Sequence, residues 1–323
     1  MNIPISPSAT FETAIQVQPQ SAGAAYSAEL KSDWSVGTAP NGGYISAIFY
    51  RVAATHFQKT HLKRHNGRAR PISIQLSYIR RCQVGPAAFL VEDIKVGSRV
   101  SLIHVTLQQE GRSTVAGYLT VSDELSETGI SIPADPNNFH VPLGRPPFAE
   151  GSGKGEWNKV MIPHPKFRRA SSRVELYERN DKASLSKGVG QWARLRPGGP
   201  NGSIENWTME SVAFLCDILP TVLGGLERAV EEDRQRTDGS TQEPVPVWFP
   251  TLALNIDFKR YELGEGHEWL YSHIHIKSVQ NGRMDVEVVI LDAAAKLVAV
   301  ATQVALVMSI ERNLAKRHVK QKL

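Results

Sequence analysis

Two ten-residue segments far apart in the chain alternate apolar and polar residues in the same register. This weak internal repeat constrains the fold more than any other feature. The segments run from Pro71 to Arg80 and from Thr251 to Arg260, and both carry the period-two signature of a half-buried strand. Their inward sets match at a constant offset: Ile72 with Leu252, Ile74 with Leu254, Leu76 with Ile256 and Tyr78 with Phe258. Further strand candidates follow in the same order in each half. Ala88 to Val96, Val100 to Gln108 and Ser113 to Val121 answer to Glu268 to Ile276, Met284 to Leu291 and Lys296 to Met308. Gly97, Gly111 and Asn281-Gly282 supply the positive φ that tight hairpins demand. One helix candidate precedes each set, Tyr44 to Phe57 after Asn41-Gly42-Gly43, and Met209 to Val230 after Thr208. The first is apolar on nearly every side, which is the mark of a buried helix. A helix and then antiparallel strands, twice over, predicts an α+β chain in which each sheet wraps a central helix.

Between the halves, roughly Asp123 to Ser203 is rich in Pro, Gly and charge and reads as a long surface connection, with a strand possible near Ser171 to Glu178. The expected division is an N-terminal unit over 8–125, a linker with little regular structure over 126–205, a C-terminal unit over 206–312 and a basic tail over 313–323. Cys82 and Cys216 are the only cysteines, so no disulfide framework or Cys-based zinc site is expected; both read as buried thiols in a reducing compartment. No apolar run reaches the ~18 residues of a membrane span, and Met1 to Phe11 lacks the pattern of a secretory signal. A cytoplasmic location follows. The terminal Gln321-Lys322-Leu323 only distantly echoes a peroxisomal address. Basic residues cluster from Lys59 to Arg70 and again from Arg312 to Lys322. Without interleaved aromatics or a nucleic-acid motif they read as a solvated rim or a landing surface for a phosphate-bearing small molecule.

Several short motifs in order carry a resemblance. Asn41-Gly42-Gly43-Tyr44 opens the first helix, and Ile94-Lys95-Val96-Gly97-Ser98-Arg99 precedes a strand. Trp192-Ala193-Arg194 lies late in the linker, and Phe214-Leu215-Cys216-Asp217-Ile218-Leu219-Pro220 lies in the second helix. Asn255-Ile256-Asp257 and Val300-Ala301-Thr302-Gln303 close the set on strands. From about Phe11 to Ser309 the chain resembles the double-hotdog thioesterases of the acyl-CoA thioesterase II type and their thioesterase-like relatives. The resemblance implies two tandem hotdog folds packed as a pseudo-dimer, self-sufficient as a monomer or at most a homodimer. It also implies an acyl-CoA or acyl-carrier-protein thioester as substrate, with no cofactor, no metal and no nucleic acid. In that family an Asp, a Thr and a Gln hold the hydrolytic water; carried over, these fall on Asp217, Asn255 and Gln303. Position 255 departs from the hydroxyl type, and Val304 stands where a Glu is usual.

The residues themselves point to the same places. Asp217 is the only charge between Ser211 and Gly225, and a carboxylate among apolar neighbours has its pKa driven towards the range of a general base. Gln303 interrupts an apolar strand, where a polar side chain needs a partner. Asn41, Gly42 and Gly43 at a helix entrance would let a carbonyl approach and could stabilise an oxyanion, or could equally serve close helix packing. Three alternatives remain at this level: a thioester hydrolase, an accessory enzyme releasing or rearranging a polyketide-like chain, and a non-catalytic acyl-binding protein. No G-x-S-x-G elbow is present, and Gly151-Ser152-Gly153-Lys154-Gly155 lacks P-loop spacing. His273 and His275 read as exposed on an edge strand, and His61 and His65 as a solvated helical face.

Overall fold

The structure is a computed structural model and describes residues 10–21, 23–65, 67–132, 157–179, 188–238, 247–310 and 313. The basic tail beyond Asn313, the terminal tripeptide and the glycine-rich run at 151–155 lie outside the described residues. One antiparallel sheet dominates. Its strands are β1 (Val17–Pro19), β2 (Ala25–Leu30), β3 (Arg70–Tyr78), β4 (Gly85–Lys95), β5 (Val100–Gln109) and β6 (Arg112–Ser122) in the first half. The second half adds β7 (Trp157–Lys159), β8 (Val174–Arg179), β9 (Val189–Leu195), β10 (Thr251–Phe258), β11 (Trp269–Gln280), β12 (Arg283–Asp292) and β13 (Leu297–Leu306). Their spatial order is β1-β2-β4-β5-β6-β3-β10-β13-β12-β11-β9-β8-β7.

The repeat seen in the sequence is the seam of the molecule. β3 and β10, its two copies, pair antiparallel with each other, Ile74 opposite Ile256 and Leu76 opposite Leu254. Both copies also carry a bulge at the equivalent place. Register slips between Pro71 and Ser73 against β6, and between Thr251 and Ala253 against β13. An extra residue in one strand bends it and re-aims the neighbouring side chains. Leu252, expected inside, is therefore 39% exposed.

Helix α1 (Gly42–Thr60) is buried on nearly every side, as its all-round apolar sequence requires. Its N-cap is Asn41, whose side chain accepts from the Tyr44 amide. The second helix departs from the sequence expectation. Met209 to Val230 is not continuous but forms α2 (Met209–Leu215) and α3 (Pro220–Asp238). Pro220 has no N–H to give the preceding turn, and proline is at home in the first position of a new helix. Cys216, Asp217, Ile218 and Leu219 make the corner between them. Both cysteines are buried and free.

The interval expected to be a linker with little regular structure also departs from expectation. Its described residues contribute β7, β8 and β9, which extend the sheet beyond β11. β11, with His273 and His275, is consequently an interior strand and not the edge that was expected. Charge that reads as loop is here consumed inside the sheet. Glu175 on β8 is 7% exposed and accepts from Lys159, Arg194 and Arg196 at 2.9, 2.7 and 2.6 Å. Although burial opposes it, bonds from Arg196, Lys159 and Arg194 hold the Glu175 carboxyl down at about 2. A group with a depressed folded-state pKa stabilises the fold above its unfolded value and loses that contribution as pH falls through the folded one. Glu175→Gln is therefore expected to melt several degrees below wild type at pH 7, with the gap closing between about pH 4.5 and about pH 2. Thermal melts across that range check it, and a gap that is constant with pH would contradict it.

Candidate active site

The corner between α2 and α3 places Asp217 against the N-terminus of α1. The two helices come close because Gly43 has no side chain; a Cβ there would lie 2.5 Å from the Phe214 carbonyl oxygen. One Asp217 oxygen, Oδ2, accepts from Asn41 Nδ2 at 2.8 Å and from the Gly43 amide at 3.0 Å. The other, Oδ1, accepts from Gln303 Nε2 at 2.6 Å. Burial pushes the Asp217 carboxyl up to about 6, and the donors on Gly43, Gln303, Gly42 and Asn41 only partly offset that rise.

The same Gln303 nitrogen donates to Thr251 Oγ1 at 2.7 Å. Thr251 is the residue that sequence reasoning missed. Simple alternation from Leu254 and Ile256 puts position 251 on the outer face, but the bulge turns it inward, opposite the fully buried Ala305. Pro250 just ahead of the strand was the available hint, since proline in sheets gathers at strand starts and irregularities.

Asn255 does not join this group, and the sequence expectation for it is corrected here. It sits on the outer, exposed face of β10, where its amide donates to Thr302 Oγ1 at 3.4 Å. Period two leaves no other possibility, because its neighbours Leu254 and Ile256 are both buried. The oxyanion expectation for the helix entrance is also altered. The Gly43 amide and the Asn41 side chain are engaged in holding Asp217 and are not turned towards a ligand. The structure thus brings together Asp217, Gln303, Asn41, Gly42 and Gly43, adds Thr251 and leaves Asn255 outside.

A cavity of about 300 Å³ opens onto this cluster, lined by Asn41, Gly42, Asp217, Thr251 and Gln303. Ile45, Leu223, Trp248, Phe249, Met284 and Leu306 give it an apolar wall, and Arg80 and Arg81 line it as well. A Cβ built on Gly42 would stand 2.9 Å from Asp217 Oδ2, 3.2 Å from Thr251 Oγ1 and 3.4 Å from the Tyr78 hydroxyl. A side chain at position 42 would crowd this carboxylate and both hydroxyls, and glycine keeps the cavity open beside them. Tyr78 is held in turn, its hydroxyl donating to the Gly42 carbonyl at 2.6 Å beside Ser46 Oγ at 3.0 Å.

The chemistry exists once although the fold is doubled. The bulge position equivalent to Thr251 is Pro71, and the strand position equivalent to Gln303, opposite Ile74, is the buried Leu119. The mirrored location therefore has neither the hydroxyl nor the amide.

The architecture and the polar cluster at its seam define a tandem hotdog protein, and comparison with known proteins specifies the family. The acyl-CoA thioesterase N-terminal domain matches residues 30–122, and the acyl-CoA thioesterase C-terminal domain matches residues 142–307. The chain belongs to the acyl-CoA thioesterase family and is a thioesterase-type hydrolase. Among curated proteins it is similar to the thioesterase-like protein TwmA of Talaromyces wortmannii, at 27% identity over 96% of this chain and 95% of that one. Among solved structures it shares its fold with a conserved hot dog protein from Alicyclobacillus acidocaldarius (16% identity, TM-score 0.67, 93% and 98% of the two chains covered). It shares it also with the acyl-CoA thioesterase II TesB2 of Mycobacterium marinum (17% identity, TM-score 0.61, 93% and 98% covered).

Proposed function

We propose that the protein hydrolyses an acyl thioester carried on coenzyme A or on a carrier protein, with Asp217 as the base. The observation that carries this reading is the Asp217 carboxylate, raised to about 6 and held 2.6 Å from Gln303 at the end of an apolar cavity. A water in the cavity within hydrogen-bond reach of the Asp217 carboxylate would give a proton to Asp217 as its oxygen attacks the thioester carbonyl carbon. The C–S bond then breaks, and the proton returns from Asp217 to the departing thiolate. Thr251 accepts from Gln303 and donates to no group among the described residues, which leaves its own proton for that water or for the carbonyl oxygen. Gln303 acts as the spacer that fixes both partners. The apolar wall suits an acyl chain, and Arg80 and Arg81 suit the phosphates of a pantetheine carrier. A thioester is already activated, so positioning supplies much of the remaining rate.

Because the two hotdog units pair through β3 and β10 within one chain, the reading includes a self-sufficient monomer, or at most a homodimer. Two buried free thiols accord with a reducing, cytoplasmic compartment. Within the described residues no helix is long and apolar enough to cross a membrane.

Thr251 and Asn255 supply the test. Thr251→Val is nearly isosteric and should lower kcat by about tenfold or more, the scale of one lost positioning hydrogen bond. Asn255→Ala should leave turnover within about twofold, since its side chain lies on the outer face. A free-thiol assay over acyl-CoAs of graded length reads both. The reverse ranking would overturn the assignment, and no hydrolysis of any acyl-CoA or acyl-carrier thioester would overturn the function.

A further inference from the structure

At the far end of α1 from Asp217, three ligand-type side chains converge that thioester hydrolysis does not use. His56 Nε2 lies 3.0 Å from Asp93 Oδ1, and His61 Nε2 lies 2.8 Å from Asp93 Oδ2. Helical spacing alone would not bring the two histidines together, because residues five apart diverge around a helix. The helix stops in time. His61 is its C-cap, with φ −123°, and the chain there turns the ring back beside His56. Asp93 comes from β4, where it continues the inward series Ala87, Phe89 and Val91. An apolar side chain is expected at that position, and the strand instead sends a carboxylate towards the helix. A register slip between Asp93 and Lys95 marks the spot.

We infer that His56, His61 and Asp93 form a binding site for one divalent transition-metal ion of the zinc class. One ligand atom from each of the three lies within 4.8 Å of the other two. Tetrahedral coordination at about 2.0–2.1 Å places ligand atoms roughly 3.3 Å apart, so adjustments of side-chain torsions suffice. Two imidazoles and one carboxylate are a donor set suited to zinc, with the fourth position left to water. The support behind the ligands is built as well. His56 is 1% exposed, and its other ring nitrogen, Nδ1, lies 3.0 Å from the hydroxyl of the buried Tyr26. A phenol both donates and accepts, so the Tyr26 oxygen can accept the Nδ1–H hydrogen bond and leave the Nε2 lone pair for the metal. His61, expected on a solvated face, is thus the outer ligand of the cluster.

The inference is independent of the catalytic reading and is tested by metal binding alone. The purified full-length protein, stripped with chelator, is titrated with Co²⁺ by visible absorption and with Zn²⁺ by calorimetry. The expected result is one Co²⁺ per chain with the intense absorption of a tetrahedral site, displaced by Zn²⁺. Asp93→Asn and His61→Ala should each weaken binding by at least about a hundredfold, and Tyr26→Phe by roughly ten- to a hundredfold. The metal-free melting temperature of each variant separates ligand loss from misfolding. No stoichiometric binding would overturn the inference and leave the three residues as a hydrogen-bonded clamp of helix to strand. So would binding that survives Asp93→Asn and His61→Ala, or that is lost in a His273→Ala/His275→Ala variant instead.

Discussion

Asp217→Asn is expected to cut kcat by about two orders of magnitude or more, the usual scale of a lost general base, while the folded protein persists. The stability side has a definite sign. Burial raises this carboxyl from 3.8 to about 6, so the folded state binds a proton more tightly than the unfolded chain. An acid shifted upward favours the fold at low pH, and that contribution disappears as pH rises from about 4 to about 6. At pH 7 wild type carries an ionised carboxylate in a costly place, and the amide removes that cost. Gln303 can rotate its amide to accept from the new NH₂, since its Oε1 has no partner among the described residues. The variant should therefore melt at or above the wild-type temperature at pH 7, and its advantage should shrink as the pH is lowered from about 6 to about 4. Wild-type kcat/KM should fall roughly tenfold per pH unit below about pH 6, because only the ionised base can accept the proton. Turnover, melting curves and the pH–rate profile read this together. Full activity in the variant, or a large drop in melting temperature with turnover little changed, would end the general-base assignment.

The second large effect is expected at Gly43. An Ala Cβ there would meet the Phe214 carbonyl oxygen at 2.5 Å, Asp217 Cβ at 2.8 Å and the Ala213 carbonyl oxygen at 3.1 Å. Two of the three are backbone atoms at the end of α2, and no rotamer change moves them aside. The helices must separate, at a cost on the order of 1–3 kcal/mol, and Asp217 moves with the corner that carries it. A shift approaching 1 Å in a reacting group costs about a hundredfold in rate. Gly43→Ala should thus lose stability and turnover together. Gly42→Ala is the informative partner, because the three atoms nearest its Cβ would be side-chain tips, Asp217 Oδ2, Thr251 Oγ1 and the Tyr78 hydroxyl. That variant should keep more of its melting temperature than Gly43→Ala and still lose turnover, since its methyl crowds the Asp217 oxygen and the Thr251 hydroxyl proposed to hold the water. Equal behaviour of the two alanine variants would show that the space beside Gly42 has no part in the reaction.

Much of the molecule could be read locally. Period-two alternation located the strand cores, and the all-round apolar run from Tyr44 to Phe57 located α1. These signals survive in one dimension because each records which side of a single element faces the core. Asp217 and Gln303 were visible for a related reason, as polar groups in apolar surroundings that need partners. Three features were not legible. The strands β7, β8 and β9 were hidden because their charges pair across strands, Lys159, Arg194 and Arg196 all converging on Glu175. A charge paired across a sheet is indistinguishable in sequence from a charge in a loop. The break at Pro220 lay within a run whose composition suits one helix, and its consequence, an Asp217 turned towards α1, depends on Gly43 of the other half.

The exchange of Asn255 for Thr251 shows the division most clearly. Composition and periodicity determined that a strand runs through this region and that Leu254, Ile256 and Phe258 are buried, and the family resemblance added that a polar group on it would meet Gln303. Which polar group does so is set by a single extra residue at Leu252, and that residue is extra only relative to β13, some fifty positions away. Alternation is a property of one strand, whereas a bulge is a property of a pair. Register against a distant partner therefore decided which hydroxyl entered the cavity, and only the tertiary structure contains that register.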